Sequence, residues 1–515
     1  MTPSLENVYF IGPFGRRVSF ASQQRRALNT VWALEEAGRI SRGERIAVIG
    51  AGLAGITATI ALAARGMRVF LYESSSDALR QQITTSHRYV HPTVNFWPEE
   101  ELTSSTQFPF LDWAADRCDQ IIRVLLAEWT EIHGILSSEN LIQKYHPNTS
   151  VGSLVPRGDS VQVIPDPPYN SSRSGLFDAV MVTTGFGPEK TLTSANSGSY
   201  WEADRIEVEL RGSDTAKFLC SGTGDGGLID TLRLLHTEFN NGIFCFEIAH
   251  ELEKGGLGPD IKAIELEAQG IVGDQNTVAQ FYHDKYEFLL SALFPDGAKK
   301  RLDLSLFRKP EIDRSVYLVG PLSHPYSVNA APIHKLLIAH ALKAKPKVLE
   351  YRRGIVDDRP SDNSVMEFHA HDGSTEFVDA AYKIVRHGAP EPPISKFIPD
   401  KAERVDLKRR QEAAWEWLGL GVYPPRHFDF AGWPGYDVNN KAFAKKRLGR
   451  AERFIQEFAN GDARLGLDRG RVTYRVFKRQ DRALLDNRLP EYLFGIPVVS
   501  DKRQRLSAKV GTRSP

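Results

Sequence analysis

The chain has 515 residues, 65 Lys+Arg against 64 Asp+Glu, 41% hydrophobic and 25% charged residues. Such values fit a soluble globular protein of more than one core and argue against bulk disorder. The longest apolar run, Ile56 to Ala64, is far shorter than the roughly 20 residues that span a bilayer, and the N-terminus shows neither a basic start nor an apolar leader. A cytoplasmic protein without a membrane segment is therefore expected.

The near-zero net charge hides an asymmetry. Residues 441 to 515 carry 19 basic and 8 acidic residues, a net of +11, leaving −10 for residues 1 to 440. This basic end is expected to pair with the acidic body of the same chain. Nucleic acid is an unlikely partner, because no helix-turn-helix, zinc-finger or aromatic RNA-binding pattern accompanies the charge. Cys118, Cys220 and Cys245 form neither a C-x-x-C nor a C-x-x-x-x-C pair. Their odd number and wide spacing support neither a disulfide framework nor a zinc site, and the missing pair argues against a disulfide-reductase mechanism, which needs two neighbouring thiols.

In chain order, the first element is an amphipathic helix over Phe20 to Ile40, with apolar residues at 27, 28, 31, 32 and 34. Arg45 to Glu73 then read RIAVIGAGLAGITATIALAARGMRVFLYE: a strand, Gly50-Ala51-Gly52-Leu53-Ala54-Gly55 in G-x-G-x-x-G spacing, a helix, a second strand and a terminal acid. This is the pattern of a dinucleotide-binding unit. Gly50 permits the turn, Gly52 lets backbone amides approach the pyrophosphate, and Gly55 brings helix and sheet together. The helix N-terminus faces the phosphates, and Glu73 is placed to accept the ribose hydroxyls. Arg80 is a candidate contact to the adenosine half, with a solvated helix charge as its alternative.

Residues 74 to 175 read as an insertion, with prolines at 92, 98 and 109 and a helix over Ala114 to Ile132. Within it, HRYVHPTVNFWP offers His87, Arg88, His91 and Trp97 either to a cofactor or substrate or to a structured loop. DAVMVTTGFGPE then forms a strand whose Gly185 lets the chain pass close to a cofactor. A second glycine cluster follows in KFLCSGTGDGGLIDTLRLL, with Gly222, Gly224 and Gly227. Its Asp225 would repel a phosphate if it faced one.

A mostly helical stretch, 244 to 302, stands where a simple unit already has its second strand. That strand, SVYLVGP at 315 to 321, ends in Gly320-Pro321 and supplies no acid. The next segment contains Ser323, His324, Asn329 and His334, with Asn329 expected to cap a helix. Two more strands follow, the latter ending at Gly388. His369-Ala-His371-Asp372 reads as a hairpin rather than a metal pair, and no metal site is assigned.

These motifs resemble flavoproteins with two dinucleotide domains, the superfamily of pyridine nucleotide-disulfide reductases, flavin monooxygenases and amine N-hydroxylases. The G-x-G-D pattern is similar to the NADPH loop of thioredoxin reductase-like proteins, and the segment from Arg16 to Ile40 looks like the leader of a group of bacterial FAD-dependent oxidoreductases. The resemblance implies an α/β fold with two Rossmann-like dinucleotide-binding domains, helical insertions and a basic C-terminal extension. The expected divisions are a leader over 1–44, an FAD domain over 45–190, a second domain over 191–388 and a linker with the basic region over 389–515. It implies FAD on the first loop and oxidoreduction of a small-molecule substrate or oxygen; on the second loop NAD(P)H is a candidate, with a degenerate loop serving packing or another ligand as the alternative. An amine or amino acid oxidase, or a nucleotide-sensing protein without turnover, are the alternatives. Catalytic residues and oligomeric state are not legible.

Overall fold

The computed structural model describes residues 7–12 and 17–406, except 104, 170–171, 188, 205, 208–216, 237–238, 240, 294–314, 345–347, 390–392 and 399. It further describes 423–424, 427–428 and, as backbone only, four strands between 463 and 500. Most of the basic end thus lies outside the described residues, and so does its expected pairing with the acidic body.

The protein is α/β, with two Rossmann-like sheets. The first contains β1 (Val8–Phe10), β2 (Arg45–Ile49), β3 (Arg68–Tyr72), β4 (Ile142–His146) and β8 (Ala179–Val182). All five run parallel in the order β1-β8-β2-β3-β4. The near-continuous apolar sequences of the central strands, such as RIAVI in β2 and fully buried AVMV in β8, follow from cover on both faces, whereas the edge strand β4 reads IQKYH. Helices α1 (Phe20–Glu36), α2 (Leu53–Ala64) and α3 (Cys118–Ser138) pack over one face, with Leu28, Val31, Ile60 and Ile122 in a shared core. Ser19 begins α1 with a capping box to Ser22. The helix stops four residues before the expected Ile40. A three-stranded meander, β5 (Val151–Arg157), β6 (Ser160–Pro165) and β7 (Gly175–Phe177), covers the other face and carries the chain from β4 to β8.

The second sheet repeats the plan. Strands β9 (Lys217–Ser221), β10 (Ser315–Gly320), β11 (Leu349–Arg359) and β14 (Tyr382–Val385) are parallel in the order β11-β10-β9-β14. β12 (Asp362–Ala370) and β13 (Thr375–Phe377) extend β11 antiparallel. His369, His371 and Asp372 lie at this hairpin, where Gly373 takes a φ of +89°.

Helix α4 (Asp225–Leu235) follows β9 and α8 (Pro332–Lys343) follows β10. Among the described residues between α4 and β10 are three further helices, α5 (Asn241–Lys254), α6 (Gly258–Gly270) and α7 (Gln275–Leu293). Val94 and Trp97, which precede α3 in sequence, belong to this second core. Downstream, Ile394 and Ile398 join the meander side of the first sheet, and Phe428 joins its helical side. Among the described residues no helix is long and apolar enough to cross a membrane.

Candidate functional site: two glycine loops at the carboxyl edges

Each sheet presents its glycine loop at the carboxyl ends of its strands, beside the point where strand order reverses. In the first unit Gly50 has a φ of +103°, and a Cβ there would lie 2.9 Å from the Thr183 carbonyl oxygen. A Cβ on Gly55 would lie 1.8 Å from the Gly50 carbonyl oxygen, so any side chain would push α2 off β2. Gly52, the N-cap of α2, differs: its φ is ordinary at −67°, and a Cβ would meet nothing within 4 Å. Two glycines close the turn and the middle one leaves its outer face open. Ala51, Leu53 and Ala54 line the loop and are buried.

Glu73 directly follows β3. Its carboxylate accepts the Ala51 N–H at 2.6 Å and the Ser75 N–H at 2.7 Å, tying the glycine loop to the following turn. Leu79, at a φ of +56°, donates its N–H to the Ala51 carbonyl at 3.1 Å. The next residue, Arg80, is exposed and 3.9 Å from Asp77. Thr183, a residue not singled out in the sequence, fastens the edge: its hydroxyl faces the carbonyls of Ile49 and Gly50 at 2.9 and 2.8 Å. Two residues on, Gly185 has a φ of +69° with open space at its Cβ position.

The second loop matches position for position. Gly222 has a φ of +127° and abuts the Arg386 carbonyl, while Gly227 abuts Gly222 with 2.0 Å to its carbonyl oxygen. Gly224, the N-cap of α4, is exposed and open. Arg386 and Gly388 stand where Thr183 and Gly185 stand in the first unit. Gly50 donates its N–H to Tyr72 and Gly222 to Val319, which pairs Glu73 with Gly320. A Cβ on Gly320 would lie 2.4 Å from the Thr223 Cγ2. The Ala51/Glu73 pair of the first unit is thus replaced by Thr223/Gly320, and the threonine fills the place of the acid.

Asp225 is the first residue of α4. Its Oδ1 accepts the Ala331 N–H at 2.9 Å and lies 2.5 Å from His334 Nδ1, and Asn95 donates to Oδ2 at 3.3 Å. The other His334 nitrogen meets Asn241 Oδ1 at 2.9 Å. Burial works against charge on His334, but the Asp225 carboxylate outweighs it and lifts the imidazole to about 10. The expected Asn329 cap is not formed. Helix α8 starts at Pro332 after Ala331, whose N–H is taken by Asp225 instead.

Behind this loop lies a buried ionic cluster. Asp230 on α4 takes hydrogen bonds from Arg88, Arg233 (2.9 Å) and Arg386 (2.7 Å). Asp204 and Glu207 complete Arg233 at 2.8 and 2.7 Å. Burial disfavours the Asp230 carboxylate, but Arg88, Arg386 and Arg233 outweigh it and hold its pKa far below the usual range. The Tyr200 ring lies between: Arg88 sits 3.8 Å from its centre, and a Cβ on Gly226 would lie 3.0 Å from its edge.

The insertion residues serve packing. Burial and Arg88 push His87 down to about 4. His91 accepts the N–H groups of Thr93 and Val94 at 3.2 Å and stacks on Phe246. Trp97 is buried in the second core. His324 stacks on His283 at 3.9 Å, and the Ser323 N–H is accepted by Asn276. All three cysteines are buried free thiols; burial pushes Cys118 and Cys220 up to about 12.

Residues 48–99, spanning the first glycine loop, match the family described as an NAD(P)-binding Rossmann-like domain. No curated protein matches the sequence. Among solved structures, a bacillithiol disulfide reductase from Staphylococcus aureus is similar at 11% identity over 70% of this chain and 80% of that one, with a TM-score of 0.37. A thioredoxin reductase from Lactococcus lactis is similar at 11% identity over 70% and 81%, with a TM-score of 0.34. Tmm from a Pelagibacter strain has 14% identity over 67% and 61%, with a TM-score of 0.31.

Proposed function

We propose that the protein is an FAD-dependent oxidoreductase that holds FAD across the first carboxyl edge and NAD(P)H on the second loop, and reduces oxygen or a small organic substrate. The observation that carries this reading is the duplicated loop in which the outer glycines are sterically closed and the middle ones, Gly52 and Gly224, are open. A dinucleotide's pyrophosphate needs that combination: close backbone approach over a helix N-terminus, with no side chain between. Glu73, beside Ala51, is the acceptor for the adenosine ribose, and its present partners are two backbone amides and the Ser74 hydroxyl. Bound flavin would supply the two-electron chemistry, while Gly52, Thr183, Gly185 and Glu73 would bind and orient it.

The buried thiols support a reaction without a disulfide relay. Cys220 is turned to the Gly227 carbonyl and Cys245 to Asn241, and the burial that raises their pKa values opposes the thiolate such a relay needs.

Purified protein should carry flavin absorbance or gain it on adding FAD, and Gly52→Asp should abolish it by setting a carboxylate against the pyrophosphate. Unchanged flavin content in that variant would move the site elsewhere. Anaerobic NADH or NADPH should bleach the bound flavin. If neither does, the second loop is not a nicotinamide site and an oxidase taking hydride from its own amine or amino acid substrate becomes the better reading.

A further inference from the structure

We infer that His334 makes the second glycine loop fit for the diphosphate of a dinucleotide by standing as the buried counter-ion of Asp225. The inference rests on reading that loop as a nucleotide site, and it assigns a positioning role to a residue 109 positions away from the loop's aspartate in sequence.

An aspartate at the first residue of α4 sets a carboxylate in the same turn as the amides of the open Gly224. Left alone, it would occupy the positive end of the helix itself and repel an incoming phosphate. The structure shows how this conflict is relieved. Asp225 turns toward the start of α8, where the Ala331 N–H and His334 Nδ1 take one oxygen, and Asn95 takes the other.

His334 is fully buried, and each of its ring nitrogens faces an oxygen: Asp225 Oδ1 on one side and Asn241 Oδ1 on the other. Only a doubly protonated ring donates to both. Asn241 Oδ1 also lies 3.2 Å from the Cys245 thiol, which can donate to it. Of the other cations nearby, Arg17 is engaged by Glu99 at 2.8 Å and Glu265 at 3.2 Å, and Lys335 by Glu265 at 2.8 Å. The imidazolium is therefore the cation that directly touches Asp225, and together they form a neutral pair at the mouth of the loop.

The corresponding position of the first loop is Leu53, which carries no charge and needs no counter-ion. The two loops reach the same electrostatic state by different means: one by an apolar side chain, the other by a carboxylate matched from α8.

The test is a double-mutant cycle read by calorimetric titration of the full chain with NADP+ and, separately, NAD+. His334→Gln removes the charge and leaves the carboxylate; the dissociation constant of whichever nucleotide binds should rise about tenfold or more, the equivalent of about 1.4 kcal/mol. Asp225→Asn in that background should recover most of the loss, since no charge then needs matching. Asp225→Asn alone should bind at least as tightly as wild type, and this arm stands even if His334→Gln fails to fold. Weakened binding in Asp225→Asn, or a His334→Gln loss that Asp225→Asn does not recover, overturns the counter-ion role. A wild-type protein that binds neither nucleotide overturns the reading of the loop as a nucleotide site, and with it this inference.

Discussion

Asp230→Asn should destabilise the protein severely although the side chain changes by a single atom. The carboxylate is fully buried, and Arg88, Arg233 and Arg386 keep side-chain exposures of only 2%, 3% and 2%. With the charge gone, three desolvated guanidinium groups would be left with Asp204, which is equally buried, and with Glu207 and Glu189, which are 40% and 23% exposed. Breaking a buried ion pair from one side costs about 3–5 kcal/mol, against a total stability of about 5–15 kcal/mol. In urea unfolding followed by circular dichroism, a slope of about 2–3 kcal/mol/M turns that loss into a midpoint shift of about 1–2 M. The acid limb should change as well. Because the folded carboxyl is depressed, its contribution is fully present above the unfolded value of about 3.9 and disappears as pH falls below it. A midpoint lowered by less than about 0.3 M would be the behaviour of a surface pair worth about 0–1 kcal/mol, and would refute the account of the cluster as a buried network.

Within each loop, the middle and third glycines should separate binding from folding. Gly224→Ala should fold normally and lose affinity for a nicotinamide nucleotide, whereas Gly227→Ala should lower the thermal midpoint sharply, its Cβ being 2.0 Å from the Gly222 oxygen; equal midpoints would contradict this. His334 should stay protonated through neutral pH, so its imidazole resonances in NMR should not titrate between pH 6 and 8. With the folded value raised to about 10, the stability from this group is fully present below the unfolded value of about 6.5 and is lost as pH rises toward 10. An ordinary titration near 6.5 would break that assignment. Gly52→Asp should remove flavin, and the Asp225/His334 cycle should show coupling, as set out above.

Local pattern carried much of this architecture. The first glycine loop, the strands around it and the start of α2 at Leu53 were readable because sterics and periodicity act over a few residues. The second loop was readable for the same reason. What the sequence hid depends on residues brought together from afar. Asp225 looked hostile to phosphate because its partner His334 lies 109 residues away. The α8 cap at Ala331 escaped because the acceptor is not local, and Asn329 offered a plausible near one. The missing acid at Gly320 acquires a cause only when Thr223 is seen to occupy its place. His87, Arg88 and Trp97 were open to either a ligand site or a structured loop, since histidine, arginine and tryptophan suit both; burial decides for a buried seam.

That seam limits how the gene could be cut. Val94 and Trp97 enter the second core from a segment lying before α3, and Arg88 supplies a cation to Asp230 on α4. Ile394 and Phe428, which come after β14, return to the first unit. The chain is laced in both directions, so a fragment ending near residue 190 would expose Trp97 and an unmatched Arg88, while the remainder would carry Asp230 without one of its cations. Neither half should be secreted, refolded or transplanted into a fusion as a free-standing module.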